Sequence, residues 1–117
     1  MSVIQNSRKP AIKRPIPDGF ISLNKNTVYV NAVAGKEIGL TAEKGVVFDT
    51  HYSSPMIGIQ DSVEGYYRGF TPAMSGDGAS INSPQEFREG CKTGRYEIMR
   101  SKVDNRGVTW YFLKKYA

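Results

Sequence analysis

The run Thr27-Val28-Tyr29-Val30, followed by Asn31 and closed by Lys36-Glu37-Ile38-Gly39, decides how this chain is read. β-Branched and aromatic residues at 27–30 suit a pleated, half-buried strand. Just before it, Phe20, Ile21 and Leu23 make a short strand and Asn24-Lys25-Asn26 a turn, so the segment 20–30 is expected to be a hairpin. Asn31 carries the side-chain oxygen that an N-cap needs, and Gly39 can adopt the left-handed backbone that ends a helix. A helix of about two turns is predicted between them.

Beyond this unit, Gly45-Val46-Val47-Phe48 and Met56-Ile57-Gly58-Ile59 read as strands joined by the polar loop Thr50 to Ser54 with Pro55. Gly65 to Phe70, with Tyr66, Tyr67 and Phe70 around Arg68, can form another strand. Met74 to Gly78 reads as a flexible turn or loop, because Gly76 and Gly78 flank Asp77. It lacks the lysine and the strand–helix spacing of a phosphate-cradling loop. Ala79-Ser80-Ile81-Asn82 is a further strand. Ser83-Pro84-Gln85-Glu86 then reads as a helix start, with Ser83 as cap and Glu86 closing a capping box, and the helix stops near Gly90. Gly94 to Met99 is a strand, Lys102 to Gly107 a loop with Asn105-Arg106-Gly107 as a hairpin turn, and Val108 to Leu113 the closing strand. The fold class is mainly β with two short helices.

Two stretches match in kind. Val28 to Gly39 and Ala79 to Gly90 each run from a strand ending in Asn, through a capped helix, to a glycine, and each is followed by a Gly-led strand at Gly45 or Gly94. One strand–strand–helix–strand–strand unit is too small to bury a core alone, so repeats at 20–60 and 66–114 would need one another. The residues Ile21-Ser22-Leu23-Asn24-Lys25, Val28-Tyr29-Val30-Asn31, Lys36-Glu37-Ile38-Gly39-Leu40 and Gly45-Val46-Val47-Phe48 resemble the AbrB and MraZ type of swapped-hairpin domain, as found in small prophage or mobile-element proteins. That resemblance implies a small β-barrel of two interlocked halves and a DNA-binding role. The first hairpin departs from the family in offering only Lys25 as a base, and Thr41-Ala42-Glu43-Lys44 replaces the usual Gly-Asp turn.

Composition narrows the function classes. A chain of 117 residues that is 39% hydrophobic and 23% charged is sized for one domain with one core. It holds no apolar run of the ~18 residues a membrane span requires, and no apolar block behind the N-terminal charges. The single Cys91 cannot form an internal disulfide, which places the protein in the cytoplasm or in a particle assembled there. The formal charge of +5 is uneven: residues 1–17 contain Arg8, Lys9, Lys13 and Arg14 and no acid, whereas residues 18–117 set the other 12 bases against all 11 acids. With Pro10, Pro15 and Pro17, residues 1–17 read as a flexible basic arm ahead of a globular domain at 18–117.

Nothing in the spacing points to catalysis. His51 is the only histidine, so no His-based triad or multi-histidine metal site can form within one chain. Cys91 sits just after a helix stop, where a small apolar side chain is expected. Asp61, Glu64, Asp77, Glu86, Glu89 and Glu97 are scattered, without a pair at acid–base spacing. No cofactor is expected. Trp110, Tyr111 and Phe112 read as core residues of the closing strand.

The leading expectation is a non-catalytic DNA-binding or accessory protein of a phage or mobile element, with Arg8, Lys9, Lys13 and Arg14 on phosphates, helped by Lys25, Arg100, Lys102 and Arg106. The competing expectation is a structural or interaction module, such as a phage particle component or small inhibitor, docking to another protein through Tyr66, Tyr67 and Phe70. A third is a single-strand binder of the OB type, with bases stacked on aromatics beside basic residues such as Arg68 and Arg95.

Overall fold

The computed structural model describes residues 18–52 and 54–116. The basic arm at 1–17, with Arg8, Lys9, Lys13 and Arg14, lies outside the described residues.

The first hairpin forms as its residues predict. β1 (Ile21–Leu23) pairs antiparallel with β2 (Thr27–Asn31), and Val28 and Val30 alternate into the interior while Tyr29 faces out. Asn31 caps α1 (Ala32–Glu37): its Oδ1 accepts from the Ala34 backbone N–H at 2.9 Å and also from that of Phe20 at 3.1 Å. Gly39 ends the turn at φ 69°.

β3 (Gly45–His51) and β4 (Ser54–Gln60) are longer than expected, because the polar residues at 49–51 continue the ladder through Thr50 with Pro55 and His51 with Ser54. The stretch at 65–70 is not a strand; two isolated bridges, Glu64 with Arg68 within the segment and Val46 of β3 with Phe70, hold a bent loop. The turn expected within 74–78 occurs at Gly76-Asp77, but its flanks are ordered strands: it is the end of a hairpin between β5 (Ala73–Ser75) and β6 (Gly78–Asn82).

The second helix, α2 (Gln85–Gly90), starts one residue later than its sequence suggests. Pro84 is the N-cap, no side chain caps the helix, and the Ser83 hydroxyl is buried without a partner, so the capping box does not form. β7 (Gly94–Val103) and β8 (Thr109–Lys115) close the chain, with β7 absorbing Lys102 and Val103 from the expected loop.

The eight strands among the described residues join one antiparallel sheet in the order β3-β4-β8-β7-β1-β2-β6-β5. The sheet curls into a half-barrel; Val46 and Phe70, exchanging backbone hydrogen bonds of 3.0 and 2.7 Å, link β3 to the segment that leads into β5. The hollow side holds the main core, with Ile21, Val28, Val30, Val46, Ile57 and Ile81 fully buried, Ala34 and Phe87 contributed by the helices and Ile38 by the residue that follows α1. A second cluster of Val47, Val108 and Trp110 lies on the opposite, outer face. Among the described residues, no helix is long and apolar enough to cross a membrane.

Candidate functional site

The outer face of β3-β4-β8-β7 gathers five of the aromatic and basic residues that the sequence singles out for binding, together with two outward rings of β8. Alternation along β8 sends Tyr111 and Leu113 to the main core and leaves Trp110 and Phe112 on the outside. Cross-strand register then lays out two rows: Val47, Gly58, Trp110 and Lys102, and beside it Asp49, Met56, Phe112 and Arg100. Gly58 makes the first row possible, since a Cβ there would stand 2.6 Å from Val47 Cγ2 and 2.9 Å from Trp110 Cε3.

Each outward ring of β8 starts an aromatic ladder that includes a guanidinium. Phe112 meets His51 edge-on at 5.8 Å, His51 meets Tyr52 at 4.5 Å, and Arg100 lies over Phe112 at 4.2 Å. Trp110 meets Tyr67 at 5.9 Å, Tyr67 meets Tyr66 at 4.9 Å, and Arg106 lies over Tyr66 at 4.4 Å. Arg106 also donates to the Tyr67 hydroxyl at 3.3 Å. The ladders start two residues apart on one strand, about 7 Å. Farther along β7, Arg95 lies over Phe20 at 4.7 Å, and Phe20 neighbours Tyr29.

Four local devices position these groups. A bulge between Ile98 and Arg100 shifts the alternation of β7, so that Ile98 packs on the core while Arg100 and Lys102 face out. The loop bearing Tyr66 and Tyr67 is tied down by Gln60, a buried side chain whose Nε2 donates to the carbonyls of Ser62 at 2.9 Å and Tyr67 at 2.6 Å. Tyr52 occupies the β3–β4 turn at φ 51°, a conformation that costs a non-glycine residue about 1–3 kcal/mol, and its ring is 91% exposed.

The fourth device is the Asp104 turn. Its carboxylate accepts from Trp110 Nε1 at 3.0 Å and from the backbone N–H groups of Arg106 at 2.8 Å and Val108 at 3.0 Å. The indole hydrogen bond, then those of Val108 and Arg106, hold the Asp104 pKa below the usual carboxylate value, outweighing the opposing effect of burial. A lowered folded-state pKa gives stability that is complete above the unfolded carboxylate range and is lost as pH falls through the folded value. An acid titration followed by Trp110 fluorescence is therefore expected to show a transition below the ordinary aspartate range, and Asp104→Asn should abolish it.

Of the residues predicted from sequence, Arg100, Lys102, Arg106, Tyr66 and Tyr67 share this face. Lys25 does not: it sits beyond the Leu23–Gly94 pair, at the far end of β7 and roughly 25 Å from Lys102. Phe70 turns away from Tyr66 and Tyr67, with its ring 5.6 Å from Phe48 against the main core. Tyr52, His51, Trp110 and Phe112 also belong to the site, although their sequence context assigns them to a loop or to the core. Neither Arg100 nor Lys102 has a carboxylate partner among the described residues, and Asp49, in the row of Arg100, stands three strands away, about 14 Å. Cys91 is half-buried against the core, and burial pushes its thiol pKa up. Among the described residues no group of His, Cys, Asp and Glu could hold a metal ion.

No family model, no curated protein and no solved structure matches this chain significantly.

Proposed function

We propose that this protein is a non-catalytic nucleic-acid-binding module whose outer sheet face carries the phosphate contacts. The observation behind this reading is the pinning of Arg100 and Arg106 over aromatic rings on one face, with Lys102 between them opposite Trp110. A ring beneath a guanidinium restrains the side chain while leaving edge donors of its planar fork for a phosphate; Arg106 gives one of them to the Tyr67 hydroxyl. The arm residues Arg8, Lys9, Lys13 and Arg14 would add contacts that raise affinity without reading sequence. Docking to a protein through Tyr66, Tyr67 and Phe70 together loses support, because Phe70 packs inward, away from the two tyrosines.

The finer architecture, two interlocked halves of the swapped-hairpin type, belongs to the same proposal. Its support is the pairing pattern: hairpins β3–β4, β8–β7, β1–β2 and β6–β5 follow one another in the sheet, so those of β1–β4 alternate with those of β5–β8. Exchanging β1–β4 for β5–β8 leaves every adjacency unchanged, provided the Val46–Phe70 link stands for a β3–β5 contact matching β7–β1.

The test is a salt series of binding to labelled nucleic acid by fluorescence anisotropy, with the full chain, the Arg100→Ala/Arg106→Ala double variant, and a chain lacking 1–17. Removing one phosphate-binding side chain is expected to flatten the log–log slope by about 0.7 to 0.9. Absence of binding at moderate salt, or a double variant with an unchanged slope, overturns the reading.

A further inference from the structure

Resting on that reading, we propose that the ligand is a single strand, whose bases stack on the exposed rings of Tyr52 and Tyr66 while its phosphates follow Arg100, Lys102 and Arg106. Stacking needs an unpaired base and a ring with a free face. Tyr52 and Tyr66, at the outer ends of the two ladders, are 91% and 65% exposed. Behind each, a continuous series of ring contacts runs back to Phe112 or Trp110, so the exposed ring is braced against the sheet rather than free to swing.

The basic side chains lie within and beside the ladders, which is the arrangement of a positive surface with interleaved stacking platforms. Tyr52 is also the only described non-glycine residue at positive φ, and a strained backbone that presents an aromatic ring to solvent points to use of that ring. A duplex would gain less here. Its bases are already stacked on one another, and among the described residues the two helices, each of six residues, contribute Ala34 and Phe87 to the hollow side, so neither stands on this face to enter a groove.

The experiment uses the full chain, a labelled oligothymidine of about 12 nucleotides, within the usual site size for such folds, and a blunt duplex of equal length, both read by anisotropy. Oligothymidine is expected to bind at least about tenfold more tightly than the duplex. Tyr52→Ala and Tyr66→Ala should each weaken it by about tenfold, with Tyr52→Phe retaining affinity. The salt slope should be unchanged in all three variants, because a stacked ring releases no counterion.

A duplex bound as tightly as the single strand, with an arginine-dependent slope, overturns the single-strand inference and leaves the nucleic-acid reading standing. Oligothymidine affinity unaffected by both alanine variants also overturns it. Failure of both probes to bind removes the nucleic-acid reading itself.

Discussion

Gly78→Ala is expected to destabilise the protein by at least about 3 kcal/mol, seen as a fall of roughly 10 °C or more in Tm. Gly78 opens β6 at φ 153°, opposite Asn31, in a region that side-chain-bearing residues rarely adopt. A Cβ there would collide with the Val30 carbonyl oxygen and lie 2.9 Å from Asn31 Cα. Both are backbone atoms of β2, so no change of rotamer relieves the clash. The β2–β6 ladder would have to part where the Asp77 carbonyl accepts from the Ala32 N–H at 2.9 Å and the Tyr29 hydroxyl at 2.7 Å. Gly76→Ala is the control: nothing lies within 4 Å of its added methyl, and little change in Tm is expected. Equal Tm values for the two variants would contradict the β2–β6 register.

Ile57→Ala is expected to cost about 2–5 kcal/mol, against about 0.5–1.5 for Ile57→Val. Ile57 is fully buried at the middle of β4, paired with Phe48 on β3 and Tyr111 on β8, both of which pack on the same core. Its neighbours belong to two strands hydrogen-bonded to its own, so they cannot collapse into the space it vacates without disturbing both ladders. Urea unfolding should show a lower midpoint with little change in m, the sign of weakened packing within an intact fold. A midpoint within experimental error of the parent would mean that β4 does not lie with Ile57 on the core side.

The parts of this molecule that could be read in the sequence are those governed by local chemistry. The turn at Asn24-Lys25-Asn26, the Asn31 cap and the Gly39 stop depend on neighbours a few residues away, and all three occur. The Ser83 cap fails even though its local signal is equally strong, because packing buries the hydroxyl and the chain enters the helix at Pro84. The loop at 65–70 carries strand-like residues, yet the buried Gln60 side chain holds its backbone bent through the Tyr67 carbonyl. Half of the site was legible, since Arg100, Lys102, Arg106, Tyr66 and Tyr67 announce themselves by type. Their meeting with Trp110, Phe112, His51 and Tyr52 follows from sheet register, and register between β4 and β8, some 50 residues apart, leaves no mark on either strand alone.

The bulge in β7 has a consequence for how relatives of this chain would be found. Counting by twos from Tyr96 and Ile98 assigns Arg100 and Lys102 to the interior; one supernumerary residue, Met99, breaks that count. A homologue lacking this residue could keep every later pairing with β8, its arginine opposite the phenylalanine as before. An ungapped comparison would nonetheless score the two chains as out of phase from that point to the C-terminus. Gap placement at position 99 thus decides whether the basic end of β7 is aligned as surface or mistaken for core.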